Sequence, residues 1–311
     1  MDSSVIHVSN LSKYFGEIRA VDDVSFSVNG GEIFGFLGPN GAGKTTTIRM
    51  MTGVLKPTQG KIEIYGKNIW KNQTLIKQIL GNVPEEANVY MDLTGLRNLY
   101  FIGELYSIPK EQRKERALNL LKKFELFERR NSLAKKYSKG MKQRLLLCMA
   151  LMSEPKVLFL DEPTSGLDVQ SSIIIKNLIK EYNKNGLTIF LTTHNMDVAN
   201  ELCDRIAIIN KGKIIKLDTP QNLRTIENEY QPIILHLSKE IELSEIEELT
   251  EINSVKKVKD YYHITIKDLD KAIEQLIKLT KLKNIKIKKI NTPEASLEEV
   301  FINAINGGMG N

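Results

Sequence analysis

This sequence of 311 residues is poor in cysteine and tryptophan and has no long apolar run. Its two cysteines, Cys148 and Cys203, lie in apolar stretches of helical character, which favours core residues in a reducing compartment over a disulfide framework. The longest apolar run, Leu145–Met152, is far shorter than the roughly 20 residues that a membrane-spanning helix needs. The N-terminal segment lacks a basic head followed by an apolar block, so no signal peptide is predicted. These absences predict a cytoplasmic protein.

The composition is ordinary for a globular protein, with 41% hydrophobic and 26% charged residues, and the length suggests two domains. The net charge of +6 is uneven, because residues 1–218 carry 31 basic and 23 acidic side chains and the remainder carries 13 and 15. A basic first part suits a polyphosphate ligand or a position near anionic lipid, and a generally lysine-rich surface explains it equally well. We find no basic patch interleaved with aromatic residues, so nucleic acid is not an expected partner.

A phosphate-binding loop is the clearest local motif. The apolar, β-prone run Glu32–Leu37 precedes a match to G-x-x-x-x-G-K-[ST], and Thr46–Met51 follows with helical character. Glycines in such a loop turn successive backbone N–H groups toward an anion at the helix N-terminus. We predict that Lys44 reaches the β- and γ-phosphates of ATP and that Thr45 binds Mg²⁺. The predicted nucleotide-binding residues here are Gly38, Pro39, Asn40, Gly41, Ala42, Gly43, Lys44, Thr45 and Thr46.

Two further apolar runs end in residues suited to hydrolysis. The run Val157–Leu160 shows no polar alternation, as is typical of a strand buried on both faces, and Asp161 and Glu162 follow it. We predict that Asp161 holds Mg²⁺ and that Glu162 is the base that activates water. The second run ends at His194, which we predict contacts the γ-phosphate.

The segment Tyr137–Met141 (YSKGM) opens a helix just upstream of the acidic pair, and the ordered set of motifs resembles the ABC-type ATPases over about residues 4 to 218. The resemblance implies that this turn covers ATP bound to a second copy of the domain. It also implies that Asp168 belongs to a D-loop and that Phe15 stacks on adenine. The implied trans-acting residues are Ser138, Lys139, Gly140 and Met141.

Three positions depart from the common family pattern. Lys139 and Met141 stand where the family usually has glycine and glutamine, and Glu85 stands where a glutamine is expected. A carboxylate cannot donate the hydrogen bonds of an amide, but it can bind Mg²⁺ or its water. These variants resemble the branch of the family that includes drug-resistance and sodium exporters.

The predicted fold is an α/β P-loop ATPase core in residues 1–219 with a helical subdomain at about 88–153. A linker at 220–230 precedes a small α+β domain in residues 231–311. The strand and helix patterns of that domain follow the ferredoxin-like order βαββαβ, with a last helix that Ser296 could cap. We predict that it mediates dimer contact or regulation.

The resemblance implies an ATP-hydrolysing subunit of an ABC membrane transporter, of the exporter type. Such a chain pairs head to tail with itself or with a related ATPase, binds an integral membrane permease and lies on the inner face of the cell membrane. The alternative is a soluble ABC ATPase that acts on DNA or the ribosome. Fewer than 100 residues without a heptad run separate Lys44 from Ser138, where the DNA-acting types carry a coiled coil. A P-loop kinase or GTPase with an accidental turn at Ser138–Arg144 is a third alternative.

Overall fold

The computed structural model describes residues 3–86, 88–226, 232–292, 297–298 and 300–302. The chain divides into two compact units, Met1–Pro220 and Gln221–Asn311. The strands of the first unit are β1 (Ser4–Phe15), β2 (Ile18–Asn29), β3 (Ile33–Leu37), β4 (Gln59–Ile64), β5 (Lys67–Asn68), β6 (Leu80–Val83), β7 (Val157–Asp161), β8 (Thr188–Thr193), β9 (Arg205–Asn210) and β10 (Lys213–Asp218).

The helices of the first unit connect these strands and add a helical region between β6 and β7. They are α1 (Lys44–Met51), α2 (Gln73–Lys77), α3 (Gly95–Leu105), α4 (Lys110–Lys123), α5 (Lys139–Leu151), α6 (Val169–Lys184) and α7 (Met196–Leu202), with 3-10 turns at Phe127–Arg129 and Ala134–Lys136. Helix α8 (Pro220–Ile226) begins at the last residue of this unit. Helices α3, α4 and α5 pack on one another and form the helical region.

Two sheets form the core of the described part of the first unit. One is antiparallel with the order β2-β1-β4-β5, and the other has the order β10-β9-β3-β8-β7-β6. The five strands from β9 to β6 are parallel, and β10 pairs antiparallel with β9. Every residue of β3, β7 and β8 is buried, as expected for parallel strands covered on both faces. These three strands are neighbours, so their carboxyl ends meet at one edge of the sheet.

The interior between the two sheets is aromatic. The rings of Phe26, Phe34, Phe36 and Phe190 contact one another with centroids 5.3 to 5.8 Å apart. Helix α1 contributes Ile48, Met50 and Met51 to the same core cluster. This packing fixes the helix that follows the phosphate loop against the strand that precedes it.

The second unit contains β11 (Pro232–Leu237), α9 (Leu243–Glu247), β12 (Ile252–Val258), β13 (Tyr261–Ile266), α10 (Leu269–Leu282) and β14 (Ile287–Asn291). Its sheet has the order β12-β13-β11-β14 with antiparallel neighbours, which confirms the predicted ferredoxin-like βαββαβ pattern. Alternate residues of β11 and β13 point into an apolar core with α9 and α10. The predicted cap at Ser296 and the final residues Gly307–Asn311 lie outside the described residues.

Several element bounds differ from the sequence-based prediction. Helix α1 begins at Lys44, two residues before the predicted Thr46, because the left-handed backbone of Gly43 ends the loop there. The sequence pattern predicts a helix over Ser172–Asn183, but helix α6 begins at Val169, because the Asp168 side chain accepts a hydrogen bond from the Ser171 amide and caps it. Among the described residues, no helix is long and apolar enough to cross a membrane.

Candidate functional site

The phosphate loop joins β3 to α1 and is shaped by two glycines with positive φ, 79° at Gly41 and 108° at Gly43. A β-carbon on Gly43 would lie 2.5 Å from the Ala20 carbonyl oxygen, so no larger residue fits this close approach. The first hydrogen bond into α1 runs from the Thr47 amide to the Gly43 carbonyl over 2.9 Å. The amides that precede it in the helix therefore have no intrahelical acceptor and, with the helix dipole, favour a bound anion.

A buried ion pair lies at the base of the loop. The Lys44 Nζ atom is 3.2 Å from Glu162 Oε1, and the two side chains are only 6% and 7% exposed. Lys44 also donates hydrogen bonds to the carbonyl oxygens of Gly38 and Pro39, over 2.7 and 3.2 Å. Charges at this depth are costly unless they are paired, so the loop carbonyls and Glu162 together stabilise the ammonium.

His194 contacts the same carboxylate from the neighbouring strand. Its Nδ1 atom lies 2.9 Å from Glu162 Oε1, while 49% of the side chain is exposed. Glu162 itself has a φ of 49°, a left-handed conformation that is uncommon outside glycine and recurs at functional sites. The three predicted catalytic residues, Lys44, Glu162 and His194, are thus brought into one contacting group.

Asp161 is placed differently from Glu162. It is buried, and its Oδ1 atom accepts a hydrogen bond of 2.5 Å from the Thr192 hydroxyl in β8. The Thr192 carbonyl also accepts a hydrogen bond of 3.1 Å from the Glu162 amide. Thr192 therefore orients both acids, a role that sequence reasoning missed. The signal was a polar residue inside the apolar run of β8.

A cavity of about 280 Å³ opens beside the loop. The residues that line it are Ala20, Pro39, Asn40, Gly41, Gly43, Lys44, Thr45, Thr46, Glu85 and Glu162. Of the predicted loop residues, Gly38 and Ala42 do not line the cavity in the described structure. Gly38 supplies a carbonyl to Lys44, and Ala42 is buried beneath the loop. The structure therefore brings Glu85 to the same cavity as the loop, whereas Asp161 is absent from the described cavity lining.

The chemistry of these residues fits a nucleotide with Mg²⁺. Lys44 and the helix amides suit phosphate oxygens, while the Thr45 hydroxyl and the carboxylates of Glu85 and Glu162 are the oxygen ligands that Mg²⁺ prefers. In the described part of the chain, no group of three or more His, Cys, Asp or Glu residues could hold a metal ion alone. A cation here would therefore take further oxygen ligands from the nucleotide or from water.

The predicted trans-acting turn is a helix N-terminus outside the described lining of this cavity. The Ser138 hydroxyl caps α5 by accepting a hydrogen bond of 3.2 Å from the Met141 amide. A β-carbon on Gly140 would lie 2.7 Å from the Ser171 β-carbon, and one on Gly166 would run into the Lys139 ammonium. Residues 138–141 are absent from the residues described as lining the cavity of the same chain.

Asp168 adjoins this turn through Ser171. The Ser171 amide and hydroxyl donate to its two carboxylate oxygens over 2.8 and 2.7 Å. These hydrogen bonds, the backbone one first, lower the pKa of Asp168 below its ordinary value. The N-termini of α5 and α6 therefore converge, and both present a positive end to the surface.

Phe15, the predicted adenine-stacking residue, lies at the end of β1 and is 49% exposed. Its ring has the Lys13 Nζ atom 5.2 Å from its centroid. Phe15 is absent from the described lining of the loop cavity, although Ala20 in the paired strand β2 is part of it. Its contact with adenine stays a prediction.

The sequence profile described as "ABC transporter" matches residues 21–165. The chain is 35% identical over 303 residues to the linearmycin resistance ATP-binding protein LnrL of Bacillus subtilis, a match covering 96% of this chain and 97% of that protein. It is also 35% identical to the bacitracin transport ATP-binding protein BcrA of Bacillus licheniformis, covering 98% and 99%.

Solved structures show the same likeness over about 70% of the chain. The structure of an ATP-binding subunit of an ABC transporter superposes with a TM-score of 0.67 at 29% identity, covering 72% of this chain and 94% of the other. The dimeric post-hydrolysis state of the ATP-binding cassette MJ0796, bound to ADP and phosphate, gives 0.63 at 28% identity, covering 69% and 98%.

Proposed function

This chain belongs to the ABC transporter family as an ATP-binding, ATP-hydrolysing subunit, and on that premise we propose that it drives export through a separate membrane permease by closing head to tail with a second ATPase chain. The observation that carries the proposal is the contacting group of Lys44, Glu162 and His194 at the phosphate-loop cavity. ATP supplies the phosphoryl group, and Thr45, Asp161 and Glu85 are the residues that would hold Mg²⁺, which would offset charge on the phosphates.

The roles of the three side chains follow from their positions. Lys44 and the amides at the start of α1 bind and orient the phosphates. Glu162 accepts the proton of the attacking water, since its carboxylate lines the cavity and is fixed by its neighbours. His194 holds the Glu162 carboxylate and, being half exposed, can contact a group that enters from the surface.

The geometry supports a site completed by a second chain. Ser138, Gly140 and the free amides of α5 form a second anion-binding helix end, which does not reach the cavity of its own chain in the described residues. The solved cassette MJ0796 forms a dimer. We therefore place the turn of one chain over the nucleotide held by the other. Bound ATP then favours the closed pair of chains, and the pair opens after hydrolysis.

An apolar groove of about 370 Å³ is the surface we assign to the permease. Tyr90, Ile102 and Tyr106 of the helical region line it together with Val54, whose side chain is largely exposed. Asn82, Pro84 and Asn88 also line the groove, and Glu85 of the same segment lines the nucleotide cavity. A short helix of the permease seated there would therefore contact the segment that touches the nucleotide. The chain would accordingly lie on the inner face of the cell membrane.

Export is the direction that the relatives support. Similar chains include a daunorubicin/doxorubicin resistance ATP-binding protein of Streptomyces peucetius and a Nod factor export ATP-binding protein of Ralstonia nicotianae. Both LnrL and BcrA match this chain over nearly their whole length, the second unit included. The cargo of this chain would be selected by the membrane subunit.

Mixing two inactive variants tests the shared site. Lys44→Ala removes the phosphate-binding ammonium, and Ser138→Arg blocks the covering turn, so each alone should lose ATP turnover while Ser138→Arg still binds ATP. A mixed dimer contains one complete site, so an equal mixture should regain at most about one quarter of wild-type phosphate release. The exposed control Lys71→Ala should keep full turnover. A mixture without any activity would contradict sites shared across the pair.

A further inference from the structure

The Lys44 ammonium is already surrounded by as many oxygen atoms as it has donors. An ammonium carries three N–H donors and no acceptor. Its nitrogen lies 2.7 and 3.2 Å from the carbonyl oxygens of Gly38 and Pro39, and 3.2 Å from Glu162 Oε1. The Lys44 side chain is only 6% exposed, so little room is left around it. A phosphate oxygen that binds Lys44 must therefore take the place of one of these three oxygens.

Glu162 is the acceptor that can give way. The two carbonyls belong to the backbone of the phosphate loop, whereas the Glu162 carboxylate moves by rotation of its side chain alone. The backbone of Glu162 stays fixed, because its amide donates to the carbonyl and the hydroxyl of Thr192 over 3.1 and 3.2 Å. Glu162 and His194 also line a second cavity of about 340 Å³. The carboxylate therefore has room to turn away from Lys44 while it stays beside His194.

The contact with Lys44 also engages the group that is needed as a base. Glu162 Oε1 lies 3.2 Å from the Lys44 ammonium and 2.9 Å from His194 Nδ1. A carboxylate oxygen that is paired with an ammonium is a weaker proton acceptor than a free one. The phosphates of a nucleotide carry several negative charges and compete with the single charge of Glu162 for the ammonium. Phosphate binding at Lys44 and the present contact of Glu162 therefore exclude each other.

We infer that the contact between Lys44 and Glu162 is autoinhibitory: it holds the base until the phosphates of a nucleotide take the ammonium and release the carboxylate. The inference rests on the proposed ATP site and adds a control to it, because the base becomes available only once phosphates have reached Lys44. Parting a buried ion pair costs free energy. Glu162 therefore lowers the affinity of the chain for the nucleotide whose hydrolysis it serves.

The test is equilibrium binding of a fluorescent ATP analogue in EDTA, which excludes both hydrolysis and metal. All chains carry Ser138→Arg, so that pairing of two chains does not add to the affinity. Glu162→Asp keeps the negative charge but is one methylene shorter and loses the contact with Lys44, so it should bind several-fold more tightly than the parent chain. Glu162→Gln removes the charge as well and should bind roughly tenfold more tightly.

Glu85→Gln is the matched control for charge. Glu85 lines the same cavity, and within the described residues it forms no ion pair with Lys44. Any tightening in Glu85→Gln therefore measures the relief of repulsion between a carboxylate and the phosphates, without the release of an ion pair. The urea transition of Trp70 fluorescence in each variant checks that the first unit is folded.

The outcomes separate the inference from simple repulsion and from the function on which it rests. Glu162→Asp binding no more tightly than the parent chain would overturn the inference and leave the ATP site intact. So would a Glu162→Gln chain whose gain in affinity is no larger than that of Glu85→Gln. If neither the parent nor the wild-type chain bound the nucleotide, the result would instead count against the proposed function.

Discussion

The two units of this chain bury apolar residues alike but differ in buried charge. Among the described residues, the buried charged side chains are Glu32, Lys44, Asp161 and Glu162, and all of them lie in the first unit. The buried side chains of the second unit that carry a polar group are the neutral Thr280 and Tyr262, among the described residues. Burying a charge costs free energy, and the second unit shows that a sheet-and-helix core forms without one. The first unit therefore bears a cost of buried charge that the second unit does not.

Glu32 is a buried charge whose role is structural and not functional. It is held by Arg205 at 3.3 Å and by the Asn29 amide at 2.7 Å, away from any described cavity. Its contacts join β2, β3 and β9 and need nothing from outside the chain. Lys44 and Glu162 instead line an open cavity and contact each other. Buried charge marks a candidate site only where it faces a space that a ligand can enter.

The largest expected effect comes from neutralising the buried acid that lines the cavity. Glu162→Gln should keep ATP binding but lower turnover by about 10²-fold or more, because a positioned base is lost while the phosphate contacts of Lys44 stay. It should also trap the closed dimer. Steady-state phosphate release and nucleotide binding measure the two parts separately.

Glu247→Gln is the control in the second unit, since Glu247 is an exposed acid of α9. Its turnover should equal that of the wild type. If Glu247→Gln slowed hydrolysis as much as Glu162→Gln, the proposed difference between the acids of the two units would be contradicted. A normally hydrolysing Glu162→Gln chain would remove Glu162 from the role of base.

Local motifs made much of the site predictable. The phosphate loop and the acids after β7 are contiguous in the sequence, so their spacing alone predicted the elements around them. The contact of Lys44 with Glu162 and the support from Thr192 depend on the neighbouring positions of β3, β8 and β7. That order arises from packing across the sheet and leaves no local pattern in the sequence.

In the second unit too, local sequence patterns did not predict where strands and helices begin and end. The pattern of Val255–Lys259 predicts a strand, but β12 begins earlier, at Ile252, which is buried and pairs with Ile266 of β13. The pattern of Leu243–Leu249 likewise predicts a helix, but α9 ends two residues earlier, at Glu247. Turn residues and alternation predicted the order of elements, but the length of each element depends on its partner strand or helix.

A smaller effect is expected from the buried hydroxyl of the second unit. Tyr262 is buried, and its hydroxyl accepts from the Ile241 amide over 2.8 Å and donates to the Ile241 carbonyl over 2.9 Å. Tyr262→Phe should lower the free energy of unfolding of this unit by about 1–3 kcal/mol, because two buried backbone groups lose their partner. ATP turnover should stay unchanged.

The sole tryptophan, Trp70, makes this prediction specific to one unit, since it packs against the core of the first unit. In urea, the circular dichroism transition of Tyr262→Phe should shift while the tryptophan fluorescence transition stays in place. Tyr261→Phe is the matched control, because Tyr261 is half-buried and its hydroxyl has no hydrogen bond to any described residue. Equal shifts in both variants would show that the hydroxyl bonds of Tyr262 contribute nothing.

The smallest expected effect concerns a structural feature found in both units, an aspartate that caps the N-terminus of a helix. Hydrogen bonds from the Ser171 amide and hydroxyl lower the pKa of Asp168, and the Lys271 amide, followed by the Lys271 charge, lowers the pKa of Asp268. A lowered pKa means that the ionised cap stabilises the fold above the ordinary aspartate pKa, near 4, and that this stability is lost as pH falls through the lowered value.

The two caps should respond differently to salt. The Lys271 ammonium lies 3.5 Å from Asp268 on an exposed surface, so salt should screen it and raise the pKa of Asp268 toward its ordinary value. The donors to Asp168 are neutral, so its pKa should change less. Carboxyl-carbon NMR titrations in low and high salt measure both groups in one sample. Ser171→Ala should raise the pKa of Asp168 alone, and Lys271→Gln that of Asp268 alone. Equal salt shifts at the two caps would mean that general surface charge, rather than the immediate donors, sets both values.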